Sequence, residues 1–541
     1  MLPWSFIVIS LLSVQIKALD ATNHYNISVP NTTPDDAEAV PANFFGFGLE
    51  SGLLSHYDND FSENIVNAIA ARMSAPLVIR VGGSSGDKIT YNESLTEPYT
   101  CDVEVCDSTS TFTIGPSYFN IMKRLQNASM TIQAPMNTAS MNNSMTFLRL
   151  AWNALGQDRV EAIALGNEPE YYPNDLPAWT AAEYVNRGLA IEDEFIREFQ
   201  LEGNETRIFQ IGEVASEVIQ GIFPLFTMED VLSAPAALNG RNKYASDHLY
   251  QMDIIGKQPG AEYYTTDVLQ WQVMAHNRTS QVLEGYARDA AWMRSKNLSF
   301  PLVISEIGSA IGNSPPDFAG GFGAGMWAVD IHLKAMSIGI KQITNTQEPT
   351  ATHGFWVPDN SGPQTTGPAV QGQFPAAAFI TDFVGKEGSL GKIYQLLGDT
   401  LLSAYAMYDL KFEHASRIAV LNLKEWHYDA NATDNFRGNT TVMLNVGSET
   451  QSVVVQRMRS DYGAYALGFD NGGPEQNTSW AGEQWSYRVD EGKGHFLNGP
   501  QSETLQVTNG TVEVVVPDTE AVMVSLQRHV APVSASSCAC V

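Results

Sequence analysis

The sequence predicts an α/β protein in which a closed (β/α)8 barrel is followed by an antiparallel β-sandwich. Three observations predict this fold. Eight short apolar, β-rich runs lie between Phe44 and Glu348. Most of them are separated by stretches whose apolar residues recur at i, i+3 and i+4, the spacing of an amphipathic helix. From about Leu390 onward, this helical spacing gives way to short strands with Gly, Asn and Asp turns.

The eight runs are apolar along most of their length, as expected for strands buried on both faces of a parallel sheet. In chain order they are FFGFGLE from Phe44, PLVIRVGG from Pro76, SMTIQAPM from Ser129, VEAIALGNEP from Val160, RIFQIGEVA from Arg207, YASDHLYQ from Tyr244, PLVISEIG from Pro301 and KQITNTQE from Lys341. Helical segments such as ENIVNAIAARMS, SYFNIMKRLQ and AAEYVNRGLAIEDEFIREF lie between them. Eight strands that alternate with helices close into a barrel.

The carboxy-terminal part of the chain predicts a second domain, since 541 residues are enough for two or more. The runs LLSAYAMYDLKF, RIAVLNLKEW, TTVMLNVG, SVVVQRM, GTVEVVVP and AVMVSLQ are typical of a sandwich. We predict a barrel over residues 41–388, a sandwich over 389–528 and a disordered tail over 529–541. Within 19–40, the strand-like YNISVP could pair with the sandwich.

The composition excludes several classes of partner. The net charge is −29, from 60 acidic and 31 basic residues. A chain this acidic repels phosphate groups, so we expect neither nucleic acid nor an anionic membrane as a partner. Charged residues make up only 17% of the chain, below the usual quarter, so uncharged polar side chains must cover much of the surface.

The amino terminus resembles a secretory leader. The apolar run from Trp4 to Val14 is too short to span a bilayer, and the small residue Ala18 follows at a plausible cleavage point. We therefore predict a signal peptide over residues 1–18 and a secreted, extracellular protein. Twelve Asn-X-Ser/Thr sequons agree with N-glycosylation of an exported chain. They are at Asn26, Asn31, Asn92, Asn127, Asn142, Asn204, Asn277, Asn297, Asn431, Asn439, Asn477 and Asn509.

The cysteines and histidines indicate no metal site. Cys101 and Cys106, in CDVEVC, could close a small disulfide loop, whereas Cys538 and Cys540 lie in the tail. Neither pair has the C-x-x-C spacing of a zinc site. The ten histidines form no HExxH motif or i, i+4 pair, so we expect no catalytic metal and no cofactor.

Two glutamates end apolar strands on what should be the same face of the barrel. Glu168 follows the fourth run and Glu306 ends the seventh. Barrel chemistry takes place at the carboxyl ends of the strands, and an unpaired carboxylate is costly to bury there. Two facing carboxylates are what glycoside hydrolysis requires, one as acid/base and one as nucleophile, at ~5–5.5 Å for a retaining enzyme. Different environments would separate their pKa values and so assign these roles.

Simpler interpretations exist for Glu168 and for its neighbours Asn167 and Pro169. A single glutamate at a strand end is usually an ordinary surface residue, and only the pairing across the barrel argues otherwise. Asn167 could cap the helix that follows. Pro169 could start that helix, where its missing N–H costs nothing.

The chain resembles the clan-A retaining glycosidases, and more specifically glycoside hydrolase family 79, the β-glucuronidase and heparanase family. Five features carry the resemblance: ALGNEPE, IRVGGSSGD at the second strand tip, FGFGLES at the first, DHLY in the sixth strand, and the sandwich after the barrel. The motif NEP alone is moderately specific, but the ordered set is much stronger and covers nearly all of the mature chain. The resemblance implies a TIM barrel with retaining glycosidase activity.

The resemblance also implies roles for individual residues. Glu168 would be the acid/base and Glu306 the nucleophile, and Asn167 would hold the 2-hydroxyl of the sugar. Glu50 would hydrogen-bond a sugar hydroxyl, or else be a solvated loop carboxylate. Tyr250 would lie beside the nucleophile, or else fill the barrel with its hydroxyl satisfied.

Two further residues have a supporting role in this prediction. His248 faces the same side of its strand as Tyr250, because side chains alternate along a strand. We favour a structural role for it over a catalytic one. Arg80 could stabilise the charge of the nucleophile or form an ion pair inside the barrel.

The loop after the eighth strand bears on the choice of sugar. In this family, a Gly-Tyr-type loop at that place binds the carboxylate of a uronic acid. The corresponding segment here is THGFWVPD, in which Gly354 could offer its backbone N–H. Phe355 and Trp356 stand where a tyrosine is expected, and this departure from the family pattern concerns the choice of sugar rather than the hydrolase class.

Two other segments match known functional motifs, but the sequence around each of them does not fit the motif. Ser84 satisfies G-x-S-x-G after a strand, as in a serine esterase, but the required helix does not follow it. The glycines from Gly320 to Gly325 resemble a dinucleotide loop, but no strand ends just before them. We interpret them as a flexible active-site loop.

The sequence therefore predicts a secreted, retaining exo-β-glycosidase. The substrate that fits best is a glycan capped by a uronic acid. A β-glucuronidase would release glucuronic acid or its 4-O-methyl ether from it. The glycan would be a polysaccharide or a proteoglycan side chain. One alternative is another clan-A β-glycosidase that acts on a neutral sugar. The other is a non-catalytic, secreted carbohydrate-binding protein, although such a protein would not need both glutamates.

Overall fold

The computed structural model describes residues 23–137, 139–172, 179–215, 226–252, 263–310, 314–360, 367–386 and 391–528. The predicted signal peptide, the predicted tail and Cys538 and Cys540 lie outside these residues. Within these ranges, no helix combines the length and the apolar character needed to cross a membrane.

The first part of the chain contains the strands of a closed barrel. In chain order the strands are β1 (Asn23–Ser28), β2 (Glu38–Val40), β3 (Phe45–Glu50), β4 (Leu77–Gly82), β5 (Ile89–Tyr91), β6 (Tyr99–Cys101), β7 (Phe112–Ile114), β8 (Ala128–Ala134), β9 (Val160–Leu165), β10 (Phe209–Val214), β11 (Asn242–Met252), β12 (Leu302–Ala310) and β13 (Ile343–Gln347). The barrel runs β3-β4-β8-β9-β10-β11-β12-β13 and closes back on β3, where Ile343 pairs with Phe45. All eight pairings are parallel, so the predicted barrel is confirmed.

Helices alternate with these strands and pack on the outside of the barrel. They are α1 (Asp60–Ala70), α2 (Asn120–Arg124), α3 (Met141–Leu155), α4 (Ala181–Phe199), α5 (Met228–Ser233), α6 (Thr266–Val268), α7 (His276–Val282), α8 (Glu284–Ser295), α9 (Pro316–Ala319), α10 (Phe322–Ile338) and α11 (Pro375–Val384). Two short helices, α12 (Phe469–Gly472) and α13 (Tyr487–Asp490), lie in the carboxy-terminal domain. Local sequence sets their ends. Thr180 and Glu183 form a reciprocal capping box at the start of α4.

The interpretation of the glycine-rich segment 320–325 as a flexible loop is wrong. Gly321 precedes the first turn of α10, and Gly323 and Gly325 lie within that helix. A Cβ on Gly321 would come within 2.1 Å of the Asp317 carbonyl oxygen. These glycines therefore allow close packing at the start of a buried helix.

The strands after the barrel form a two-sheet sandwich, as predicted. They are β14 (Trp356–Val357), β15 (Ala369–Val370), β16 (Gly391–Gly398), β17 (Leu402–Asp409), β18 (Ala415–Asn422), β19 (Asn439–Asn445), β20 (Thr450–Ser460), β21 (Thr478–Trp480), β22 (Glu483–Gln484), β23 (His495–Phe496), β24 (Glu503–Gln506), β25 (Thr511–Pro517) and β26 (Glu520–Arg528). The large sheet runs β2-β16-β17-β18-β26-β20-β21-β22-β23, with β24 beside β20, and the small sheet is β1-β19-β25. Among the described residues, strands β14 and β15 pair with each other and belong to neither sandwich sheet. Both amino-terminal strands thus belong to sandwich sheets.

The barrel and the sandwich share one hydrophobic core. It continues from the barrel strands into the inner side of the large sheet, where Trp480 and Met458 are buried. A second core fills the space between the two sheets and includes Ile27 from β1. Asp330 of α10 accepts a hydrogen bond from Ser403 of β17 at 2.7 Å, which adds a polar link between the domains.

An excursion after β4 carries strands β5, β6 and β7, which form a small sheet of their own. Cys101 and Cys106 are joined by a disulfide bond within it. His56 lies between the Tyr99 hydroxyl (2.6 Å) and the Asp359 carboxylate (2.7 Å), so it connects this excursion to the loop after β13. The excursion therefore lies at the carboxyl-terminal mouth of the barrel.

Candidate active site

Glu306 is held by two donors at the mouth of the barrel. The Tyr250 hydroxyl donates to its Oε1 at 2.6 Å, and Arg80 Nη1 donates to its Oε2 at 3.0 Å. Burial raises the pKa of Glu306, but the positive charges of His248 and Arg80 outweigh burial. The hydrogen bond from Tyr250 acts in the same direction, so the pKa lies below its usual range. Glu306 is therefore an ionised carboxylate in a fixed orientation.

Glu168 follows β9 in a left-handed backbone conformation, with φ 47° and ψ 54°. Its N–H donates to the Glu213 carbonyl oxygen at 2.7 Å. Pro169 then begins a short 3-10 turn, Pro169–Tyr171, so the strand stops and the side chain is presented at its tip. The Glu168 side chain is 22% exposed and faces the open end of the barrel.

The two glutamates are close together. One carboxylate oxygen of Glu168, one of Glu306 and one ring nitrogen of His248 all lie within 4.8 Å of one another. This separation is in the short range used by retaining glycosidases, and it leaves no room for the water that an inverting enzyme places between its carboxyls.

His248 lies between three carboxylates. Its Nδ1 is 3.1 Å from Glu168 Oε1, its Nε2 is 3.3 Å from Glu213 Oε2, and Nδ1 is 3.9 Å from Glu306 Oε2. Burial lowers the pKa of His248, but the carboxylates raise it to about 10. The imidazole is therefore cationic. The ring contacts the predicted acid/base directly, which goes beyond the structural role favoured by the sequence.

Arg80 combines the two roles that the sequence left open. Besides Glu306, it contacts Asn167 Oδ1 at 2.8 Å and Glu213 Oε2 at 2.7 Å through Nη2. It thus stabilises the charge of Glu306 and also forms a buried ion pair. Because Arg80 donates to Asn167 Oδ1, the amide nitrogen of Asn167 can serve as a hydrogen-bond donor to another group.

Glu213, on β10, was missed by the sequence analysis. Its side chain is completely buried, and it accepts a hydrogen bond from Ser305 Oγ at 3.1 Å as well as those from Arg80 and His248. Burial alone would raise its pKa, but Arg80 and His248 lower it to about 2. The available signal was a single acidic residue within the apolar run RIFQIGEVA.

Glu50 is buried at the end of β3, so the alternative of a solvated loop carboxylate is wrong. It accepts hydrogen bonds from the backbone N–H (2.9 Å) and the hydroxyl of Ser85. Glu348 follows β13, the neighbouring barrel strand, and the sequence analysis did not select it. Burial, and then the charge of Glu348, raise the pKa of Glu50 well above its usual range. Burial likewise raises the pKa of Glu348.

Tyr250 lies beside Glu306, and a glycine makes room for it. A Cβ on Gly308 would come within 2.8 Å of the Tyr250 ring. Burial, with the charge of Glu306 next, raises the pKa of Tyr250 well above its usual range, so the hydroxyl remains a donor.

The loop after β13 differs from the sequence-based expectation. Phe355 packs on Phe47 with ring centroids 5.6 Å apart, and Trp356 packs on the same ring at 4.9 Å, so both aromatic side chains belong to the core. The Gly354 carbonyl oxygen accepts a hydrogen bond from Gln373 Nε2 at 2.7 Å. The side chain of this loop that faces Tyr250 is His353, at a ring-centroid distance of 5.8 Å.

Ser84 lacks the context of an esterase nucleophile. The turn that follows it, Ser84–Lys88, leads into strand β5 rather than into the helix of a nucleophile elbow. Its neighbour Ser85 is engaged by Glu50. The segment that matches G-x-S-x-G therefore helps to hold Glu50 in place through Ser85.

Comparison with known proteins agrees with this geometry. Residues 404–523 match the model of the glycosyl hydrolase family 79 C-terminal beta domain. A β-glucuronidase of Neurospora crassa is 24% identical over 90% of this chain and 93% of its own length. A β-glucuronidase of Aspergillus niger is 25% identical over 93% of this chain and 94% of its own length.

Solved structures show the same architecture. A 4-O-α-L-rhamnosyl-β-D-glucuronidase of Fusarium oxysporum superposes with a TM-score of 0.74 at 19% identity, over 93% of this chain and 100% of its own. A family 51 arabinofuranosidase of Xanthomonas axonopodis pv. citri superposes with a TM-score of 0.59 at 14% identity, over 93% and 99% of the two chains. Together, the matched carboxy-terminal domain, the sequence relatives and the barrel with its paired glutamates indicate that the chain is a glycoside hydrolase similar to those of family 79.

Proposed function

We propose that the enzyme is a retaining exo-β-glucuronidase that releases glucuronic acid or its 4-O-methyl ether from polysaccharide or proteoglycan side chains. The observation that carries this proposal is the close pair Glu168 and Glu306, with Glu306 ionised and oriented by Arg80 and Tyr250. The two relatives named as β-glucuronidases support the choice of sugar.

The first step forms a covalent sugar–enzyme ester. A Glu306 carboxylate oxygen attacks the anomeric carbon, while Glu168 transfers its proton to the glycosidic oxygen as that bond breaks. Tyr250 and Arg80 hold the attacking carboxylate in place, so little reorganisation is needed. In the second step Glu168 takes a proton from water, and the resulting hydroxide displaces Glu306 from the sugar, with net retention.

The remaining polar groups orient the sugar ring. Asn167 is placed to donate to the 2-hydroxyl, a contact that strengthens in the transition state. Glu50 and Glu348 lie on neighbouring strands at the mouth and have raised pKa values. A carboxyl group that keeps its proton can both donate to and accept from sugar hydroxyls.

His353 lies where a uronic acid would differ from a neutral sugar. If C2 of the sugar faces Asn167, the ring oxygen and C5 lie on the opposite side of C1, towards Tyr250. His353 packs against Tyr250 on that side, and neither of its ring nitrogens has a hydrogen-bond partner among the described residues. We assign it, with the backbone N–H of Gly354, to the carboxylate on C5.

Hydrolysis of a set of synthetic glycosides tests the proposal. Wild type and Glu306→Ala are compared on 4-nitrophenyl β-glucuronide, β-glucoside, β-galactoside and β-xyloside. We expect cleavage of the glucuronide alone, an inactive variant, and a first-formed product that is the β-anomer by NMR. Ser84→Ala, at an exposed position near the mouth, serves as the folding control. Preference for a neutral glycoside would overturn the uronate assignment but leave the two glutamates in place, and an initial α-anomer would overturn retention.

We also propose that the protein is secreted and carries N-linked glycans. The leader-like residues 1–18 and the twelve sequons support this proposal. Expression in a eukaryotic host should place the protein in the medium, and treatment with an endoglycosidase should lower its apparent mass. Retention inside the cell with an unchanged mass would overturn both statements.

A further inference from the structure

Glu213 has an unusual backbone for a strand residue. Its φ is 53°, in the left-handed region that non-glycine residues rarely occupy, and it follows Gly212, whose φ is 103°. The pairing of β10 with β11 shifts register between Gly212 and Val214, which is a β-bulge at Glu213. Bulges next to active sites turn a side chain away from the direction that strict alternation would give it. Such strained positions persist only where their surroundings hold them.

The bulge directs the carboxylate of Glu213 to the back of both proposed catalytic groups. Glu213 Oε2 lies 2.7 Å from Arg80 Nη2 and 3.3 Å from His248 Nε2. Arg80 in turn contacts Glu306, and His248 contacts Glu168. The backbone of Glu213 acts as well, because its carbonyl oxygen accepts the N–H of Glu168 at 2.7 Å.

A count of charges shows what this carboxylate contributes. Arg80 and His248 are cations, and Glu306 is an anion. Without Glu213 the cluster would carry one excess positive charge, which would favour loss of the proton from His248. With Glu213 the two cations face two anions, and the His248 ring keeps both of its protons.

We infer that Glu213 is a positioning residue that keeps His248 cationic and aims Arg80 at Glu306. The inference rests on the proposed function but concerns a residue that it does not assign. Glu213 does not touch the substrate in this arrangement, since its side chain is completely buried behind the other four groups.

The titratable groups around this pair come from several elements. The groups that face Glu213 and His248 are Arg80 on β4, Glu168 after β9, Tyr184 on α4, Asp247 on β11 and Glu306 on β12. Loss of the Glu213 charge should lower the pKa of His248, because a nearby anion favours the protonated ring.

The test compares Glu213→Gln with Glu213→Asp on 4-nitrophenyl β-glucuronide. We expect Glu213→Gln to lower kcat about 100-fold, with a smaller effect on KM. The alkaline limb of its kcat/KM profile should move about one pH unit towards acid. Glu213→Asp keeps the charge and should return the limb to the wild-type pH, even if kcat is only partly restored.

The matched control is Glu192→Gln. Glu192 is also a buried glutamate, held by Asn239 at 2.6 Å and Arg241 at 3.4 Å, but it lies on α4 outside the site. A purely structural role for Glu213 predicts that both variants lose thermal stability and keep the wild-type pH profile, which would overturn the inference.

A second measurement does not depend on any variant. In wild type with 15N-labelled histidine, the His248 ring should remain doubly protonated above pH 8. A neutral His248 at pH 7 would overturn the inference, even in an enzyme that cleaves glucuronides. Lack of glucuronide cleavage together with a cationic His248 would instead overturn the proposed substrate.

Discussion

Glu170 lies two residues beyond Glu168 and is almost completely buried. Its Oε1 accepts a hydrogen bond from the Ala215 N–H, whereas its Oε2 has no partner in the described part of the chain. Burial raises the pKa of Glu170 from 4.5 to about 8. Between these two pH values the folded protein keeps a proton that the unfolded chain releases. The folded state therefore loses stability as the pH rises through this window.

We expect Glu170→Gln to reduce this loss, because the amide keeps the acceptor for Ala215 and has no proton to release. Wild type should lose roughly 3–5 kcal/mol of unfolding free energy from this residue between pH 5 and pH 8. Chemical unfolding at several pH values measures the slope. Glu229→Gln, at an exposed position on α5, is the control. Equal slopes for wild type and Glu170→Gln would contradict the assignment.

His353 should make the binding of a uronic acid depend on pH. Burial lowers its pKa to about 4, so its ring is neutral in the free enzyme above that pH. A substrate carboxylate favours the imidazolium, so binding takes up a proton, and KM should rise up to about tenfold per pH unit in the mildly acidic range.

The KM for 4-nitrophenyl β-glucuronide, measured across pH in wild type and in His353→Gln, isolates this effect. KM should increase with pH in wild type and should depend much less on pH in His353→Gln, which cannot become charged. At the acidic end of the range, the variant should also have a KM about tenfold higher than wild type. His414→Gln, in the sandwich, is the control. The same KM at all pH values in wild type would contradict the role of His353.

The sequence could predict those site residues that follow an apolar strand directly. Glu168 and Glu306 were selected because two carboxylates on the same face of the barrel have few structural explanations, whereas a single glutamate at a strand end is usually a surface residue. Glu213 could not be recognised, because a bulge turns it inward and period-two alternation does not reveal a bulge. His353 was missed because its importance depends on Phe355 and Trp356 turning into the core, which is a tertiary effect.

At the scale of elements, the excursion β5–β7 forms one wall of the mouth. Glu348 accepts hydrogen bonds from both the backbone and the side chain of Ser108, which lies between β6 and β7. The disulfide between Cys101 and Cys106 closes the loop just before Ser108. This wall is therefore connected to the strand ends that carry Glu50 and Glu348.

Removal of the disulfide should affect binding more than chemistry. We expect Cys101→Ser combined with Cys106→Ser to raise KM a few-fold and to leave kcat within about twofold, because Glu168 and Glu306 do not contact this loop. Stability should change little, since the closed loop is short. Steady-state kinetics measures KM and kcat of the variant. Wild type with and without a reductant provides the matched comparison. A large loss of kcat at unchanged KM would contradict this account.

Both of the strands that precede the barrel belong to sandwich sheets. Strand β1 pairs in parallel with β19, and β2 pairs with β16 at the edge of the large sheet. Ile27 of β1 is buried between the sheets, and the Tyr25 hydroxyl donates to Asp399 at 2.7 Å. The chain thus enters the sandwich, builds the whole barrel and then returns. The sequence can predict that a strand-like segment such as β1 pairs with a distant strand. The partner strand cannot be predicted from the local pattern of apolar residues.

We expect Ile27→Ala to destabilise the whole sandwich by about 2–4 kcal/mol, because it leaves a cavity between the two sheets. Denaturant unfolding followed by tryptophan fluorescence measures the change. Ser28→Ala, next in the strand but exposed, should change the free energy by less than about 0.5 kcal/mol. Similar small changes in the free energy of unfolding for both variants would show that β1 contributes little to the stability of the sandwich.

The pairing of β1 with β19 also sets an order of events during synthesis. Strand β1 leaves the ribosome roughly 400 residues before its partner, which at typical translation rates is a delay of tens of seconds. Throughout that time an apolar strand has no neighbour to pair with, while the barrel behind it can already form. The first of the described strands is therefore among the last to reach its final position, and chaperone binding would act in this interval.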